Sequence, residues 1–150
     1  MTQLTWYAQN GTDPALLTLI EQPPKRFGTT LEEIARDIFN LEPGVNSQHD
    51  HIYKGIRIEQ KSARYHAGKL EYNWQHLEED YDYSYVLFAG VTFEGIQWWI
   101  ITKELLMGEL REKNIVQKQG KQGWTCTKTK ILPYLTEVTT KEHLHEILCN

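Results

Sequence analysis

The chain has only two cysteines, Cys126 and Cys149. That is too few for a disulfide framework, and they lack the paired spacing of a zinc site. A reducing compartment, the cytoplasm, is therefore expected. Long hydrophobic runs are also lacking. The most apolar stretches, residues 85–91 and 96–101, fall well short of the ~18 residues a membrane span needs, so no membrane partner is expected. Residues 1–6 carry neither a basic nor an apolar region, so no secretory signal is expected. Basic charge is not in excess either. The net charge of −4 argues against binding polyanions by bulk charge, while leaving room for a local basic groove. Internal repeats and low-complexity tracts are absent.

What is present suits one globular domain over residues 1–150, with enough apolar residues to bury a core without staples. An aromatic opening is followed by a turn at Asn10-Gly11, the apolar run 15–20, and a stop at Pro23-Pro24. A helix is predicted over 30–40. Thr29 and Thr30 are candidate N-caps, each with a glutamate three residues on, and Leu31, Ile34, Ala35 and Ile38 form the apolar stripe. Pro43-Gly44 closes it. A hairpin follows, then a helix over 71–79 anchored by Trp74 and Leu77. Strands are predicted over 83–93 and 96–102 with a turn at Glu94-Gly95. A helix over 103–112, a strand over 124–132 and a helix over 140–149 complete the chain. This order predicts an α/β or α+β domain with a mixed central β-sheet flanked by helices.

The hairpin carries the most chemistry. With Lys54-Gly55 as a two-residue turn, Tyr53 pairs with Ile56, Ile52 with Arg57, His51 with Ile58 and Asp50 with Glu59. Two carboxylates then face each other with Cβ atoms about 5 Å apart, an unfavourable pair. A divalent cation held by both would relieve the repulsion, since hard cations favour carboxylate oxygens. Lys61 projects from the same face and can orient a water or stabilise negative charge. The plain alternative is a solvated strand face with one ion pair. On the preceding helix, Glu32 falls at the border between apolar stripe and solvent while Glu33 points to water. Glu32 is either a reach toward the sheet's edge or the capping-box partner of Thr29. His49 and His51 fall opposite Asp50, in surface or packing roles. Ser62 and Cys126 have no positioned base, so nucleophilic catalysis has little support.

These residues resemble a family. Asp50 followed by Glu59-Gln60-Lys61 at the end of an apolar strand, with Glu32 in a helix just upstream, is similar to the PD-(D/E)xK nuclease superfamily. Downstream, Trp74-Gln75-His76, Tyr81-Asp82-Tyr83, the strand through Ala89-Gly90 and Trp98-Trp99 resemble its compact type II restriction endonucleases. The likeness covers about half the chain, from Gly28 to Leu106. It departs at His49, which stands where the motif has proline.

The resemblance implies a restriction-endonuclease-like core and a sequence-specific, double-stranded DNA endonuclease leaving 5′-phosphate and 3′-hydroxyl ends. Asp50, Glu59 and the Gln60 main-chain carbonyl would bind Mg²⁺, with Mn²⁺ able to substitute. Lys61 would position or activate water, Glu32 would complete the site, and Gln75, on a second helix, would contact it or be ordinary helix surface. A repair nickase or junction resolvase on the same fold, or a non-catalytic DNA-binding module, are the alternatives. The setting would be the cytoplasm of a bacterial or virus-infected cell. DNA contacts need local cations. Arg57, Arg64 and Lys69 lie near the proposed site. Residues 111–130 hold six basic residues against one acidic, a local +5, in either a flexible loop or a reading element. There Lys118, Lys121 and Gln122 are of the types that reach phosphates and base edges. One such set per chain and two strands to cut imply a homodimer.

Overall fold

The computed structural model describes residues 3–65, 71–121 and 123–150. Three helices open the chain: α1 (Gln3–Gln9), α2 (Pro14–Glu21) and α3 (Pro24–Phe39). Asp13 caps α2, its side chain accepting the Ala15 N–H at 2.9 Å. The expected start of α3 at Thr30 is corrected to Pro24. Pro23-Pro24 ends α2 and also begins α3, because a proline in the first turn has no intrahelical hydrogen bond to lose and a φ already suited to the helix. Thr29 and Thr30 are therefore interior and not caps. The Thr29 hydroxyl donates to the Lys25 carbonyl and that of Thr30 to Gln22 Oε1. This removes the capping role considered for Glu32. Asn40, in the left-handed region at φ 56°, terminates the helix.

The strands are β1 (Glu42–Pro43), β2 (His51–Tyr53), β3 (Ile56–Arg64), β4 (Asn73–Leu77), β5 (Tyr85–Thr92), β6 (Gly95–Thr102), β7 (Gln117–Lys118), β8 (Trp124–Thr127) and β9 (Thr136–Glu137). Six form the central sheet in the order β1-β2-β3-β5-β6-β9, and three form a small sheet in the order β4-β8-β7. In the central sheet β3 and β5 run parallel and the other pairs antiparallel. The protein is thus mixed α/β, with a mixed central sheet flanked by helices.

Alternation along the strands builds two cores. On one face Ile58, Leu87, Ala89, Trp98 and Ile100 pack under the three N-terminal helices, through Tyr7, Phe27, Leu31, Ala35 and Phe39. The C-terminal helix, Lys141–Leu148, adds Leu144 to the same face. On the other face Val86, Phe88, Trp99 and Ile101 pack under the small sheet, through Trp74, Leu77 and Cys126. Trp98 and Trp99 are consequently both core, on opposite faces. Among the described residues no helix is long and apolar enough to cross a membrane.

Several boundaries differ from expectation. The helix over 71–79 is instead β4, with a bulge between Trp74 and Leu77 where His76 has φ 60°. The strand over 124–132 stops at Thr127, where the helix Lys128–Ile131 begins. The helix over 103–112 is broken at Gly108 into Lys103–Met107 and Glu109–Glu112. The turn before β6 is Phe93-Glu94, with Thr92 paired to Gly95.

The two sheets meet closely at Gly90. The Trp74 indole donates to the Ala89 carbonyl at 3.0 Å, and a Cβ built on Gly90 would stand 2.5 Å from the Tyr72 ring. That ring is fully buried, so it has nowhere to retreat. Gly90→Ala is expected to cost about 1–3 kcal/mol, as overpacked cores do, read as a lower urea midpoint at unchanged slope. A midpoint equal to the parent's would show that the layers slide freely.

Candidate active site

Lys54 and Gly55 both have positive φ, 48° and 84°, the pattern of the tight hairpin turn that matches strand twist. The register is the one the turn dictates: Tyr53 opposite Ile56, Ile52 opposite Arg57, His51 opposite Ile58. Strand β2 stops there, while β3 runs on to Arg64. The result is a notch in the sheet beside the second half of β3. Asp50 sits at its mouth. Its N–H donates to the Ile58 carbonyl and its carbonyl accepts from Gly44, both at 3.0 Å. Its Oδ2 accepts the Gln60 N–H at 2.7 Å. In an extended strand the N–H and C=O of one residue point the same way, so the Gln60 carbonyl opens on the same notch.

Arg57, Glu59 and Lys61 lie in a row on the face that the small sheet covers. Glu59 is 4% exposed, and Lys61 Nζ is 3.9 Å from its Oε2. Burial pushes the Glu59 carboxyl far above the usual carboxylate range. The hydrogen bond with Asp50 and the Asp50 charge push it further, against the pull of Lys61. Glu59 therefore takes up a proton more readily than an exposed carboxylate does. From the opposite face of the sheet, α3 brings Glu32, half-buried, to the same field. Its carboxyl is pushed up to about 7, by burial first and then by Asp50, with Arg36 and Lys61 opposing. Glu33 beside it is exposed.

A buried polar chain fastens the notch from below. Arg36 Nη1 stands 3.4 Å from His51 Nδ1, His51 Nε2 stands 2.7 Å from Gln60 Oε1, and Gln60 Nε2 donates to Ser62 Oγ at 3.1 Å. Burial lowers the His51 pKa. The network fits a neutral ring donating from Nε2 and accepting from Arg36 at Nδ1. His51 thus ties α3 to the middle residue of the Glu-Gln-Lys triplet, a positioning role that sequence reasoning missed. The signal lay in the hairpin register, which sets His51 diagonal to Gln60.

The remaining candidates lie apart from the notch or are otherwise engaged. Gln75 is on a strand, β4, and not on a helix; its side chain is exposed. Arg57 is ion-paired with Asp82. Arg64 is turned toward α2, where it donates to the Ile20 carbonyl at 3.0 Å and to that of Gln22, and stacks 4.0 Å over Phe27. That is the anchor of a helix C-terminus. Lys118, on β7, is exposed and lies 5.1 Å over the Trp124 ring, and Lys121 is exposed at the following turn. Lys69 and Gln122 lie outside the described residues. Among the described residues no three His, Cys, Asp or Glu side chains form a metal site unaided. Two carboxylates and a main-chain carbonyl are the available donors.

Compared with models of known protein families and with curated proteins, the chain has no match in either.

Proposed function

We propose that this protein is a Mg²⁺-dependent double-stranded DNA endonuclease with a PD-(D/E)xK, restriction-type core. The observation that carries the proposal is the convergence of Asp50, Glu59 and Lys61 on one notch, with Glu32 at its border. The donor set fits a hard divalent cation. Burial and the Asp50 charge both favour a proton on Glu59, and a bound cation would offer the same relief. Asp50, Glu59 and the Gln60 carbonyl would hold Mg²⁺, or Mn²⁺ in its place. When bound, the cation would offset charge developing on the scissile phosphate.

The chain's own groups account for the rest. Lys61, with Nζ 3.9 Å from Glu59 Oε2, can donate to the attacking water and fix it in line. Asp50 is held by the Gln60 N–H, and Gln60 by His51. Lys118 and Lys121 supply cations to a duplex laid across the small sheet. Products with 5′-phosphate and 3′-hydroxyl ends follow if water attacks phosphorus and the 3′ oxygen leaves. A homodimer on a symmetric site, acting in the cytoplasm, completes the proposal.

Incubation of supercoiled plasmid with Mg²⁺ tests it. Discrete linear fragments are expected, from a complex that light scattering sizes as two chains per duplex. Nicks alone would indicate a nickase or resolvase. Intact plasmid that is nevertheless bound would indicate a non-catalytic module.

A further inference from the structure

Between β4 and β5 the chain carries four carboxylates in five residues, Glu78, Glu79, Asp80 and Asp82. This acidic loop runs close to the notch. The Ser84 N–H donates to the Arg57 carbonyl at 2.8 Å, and Tyr83, buried, lies near enough to Glu59 to be influenced by its charge. Carboxylates repel phosphates, so a fixed acidic loop here opposes the approach of any nucleic acid.

The loop is tied down by cations. Asp82 pairs with Arg57 and Glu79 with Arg111, while Lys103 Nζ donates to the Tyr81 carbonyl at 2.5 Å and covers the Tyr83 ring at 4.3 Å. The two arginines mark separate places. Arg57 stands one pleat before Glu59, on the same face of β3. Arg111 lies 5.0 Å over the Trp124 ring, beside Lys118, at the base of a stretch, residues 113–136, with five lysines and no carboxylate. Both ion pairs are between a third and about half exposed. Pairs so placed add little to stability and exchange readily. A guanidinium fork donates to phosphate oxygens as well as to carboxylate oxygens.

We propose that Arg57 and Arg111 are contacts to the duplex backbone that the free protein holds in reserve. Asp82 and Glu79 stand where two phosphates will stand, and DNA takes both guanidiniums by displacing the loop. The inference rests on the nuclease assignment and adds regulation of that same site. The loop sets a threshold that a weakly held duplex does not cross.

The test is anisotropy of a fluorescein-labelled duplex of random sequence in EDTA, titrated with salt. Asp82→Asn and Glu79→Gln are expected to bind about tenfold more tightly than the parent. Their log–log salt dependence should be steeper by about one, because no displaced carboxylate takes a counterion back. Asp80→Asn makes the same change in net charge without touching an ion pair among the described residues, and should gain about twofold or less. In an Arg57→Gln background, Asp82→Asn should gain no more than Asp80→Asn. Equal gains for Asp82→Asn and Asp80→Asn in the parent, or a full gain without Arg57, would overturn the proposal and leave the nuclease assignment standing. Absence of duplex binding by parent and variants alike would remove both.

Discussion

Asp50→Ala and Glu59→Ala are expected to abolish Mg²⁺-dependent cleavage while the protein still folds. Metal-free stability should hold or rise for Glu59→Ala, which removes a carboxyl disfavoured by burial and by the Asp50 charge, and should fall by about 1 kcal/mol for Asp50→Ala, which loses the acceptor of the Gln60 N–H. The pH dependence gives the sharper test. The folded-state pKa of Glu59 lies above its ordinary value of 4.5, so between the two the folded protein binds a proton that the unfolded chain does not. The associated stability is complete below about pH 4.5 and declines as pH rises through the folded value. In EDTA, Glu59→Gln, which donates to Asp50 without titrating, should equal the parent near pH 5. At pH 8 it should exceed the parent by about 1–3 kcal/mol, a discounted figure for carboxylates free to relax apart. Mg²⁺ at pH 8 should raise the parent's melting temperature and leave that of Glu59→Gln unchanged. Cleavage at the parent's rate by either alanine variant would remove the assignment.

Glu32→Gln should reduce cleavage about 10- to 100-fold, the range for groups that support a metal site, whereas Glu33→Gln should stay within about twofold. The two neighbours differ in placement alone: Glu32 is half-buried within the field of Asp50, and Glu33 is in water. A carboxyl titrating at about 7 leaves a mark on the rate. Activity that needs Glu32 ionised should fall on the acid side of neutrality, and Glu32→Gln should flatten that limb. Equal losses for both substitutions, or an acid limb unchanged in Glu32→Gln, would show that Glu32 does not serve the site.

The hairpin was legible from sequence because every local signal agreed. Lys54-Gly55 admits a two-residue turn, and strict alternation after it leaves one register compatible with burying Ile58. Elsewhere one pattern served two structures. Trp74 and Leu77 are three residues apart, the spacing of a helix face. In β4 a bulge at His76 shifts the strand by one residue, so that both side chains turn inward at that same spacing. Pro23-Pro24 reads as a stop, and its second role, opening α3, is hidden because Thr29 and Thr30 resemble caps so well. The polar chain from Arg36 through His51 to Gln60 joins a helix to a strand, and no spacing within either element announces it.

The course of β3 also bears on the order in which the protein assembles. Hairpins β2–β3 and β5–β6 each close over two residues and can form in microseconds. The parallel seam between β3 and β5 waits until the chain has passed through β4, a longer loop with a larger closing entropy. Asp50 and Glu59 belong to the first hairpin, so they meet early, while water still surrounds them and weakens their repulsion. Their confinement comes only when β5 docks beside β3 and brings Tyr83, just before it, up to Glu59. The barrier raised by like charges therefore falls on the late docking step, and a proton or a divalent cation seated on the early hairpin lowers it. The cation proposed for the site would then also hasten the closing of the fold around it.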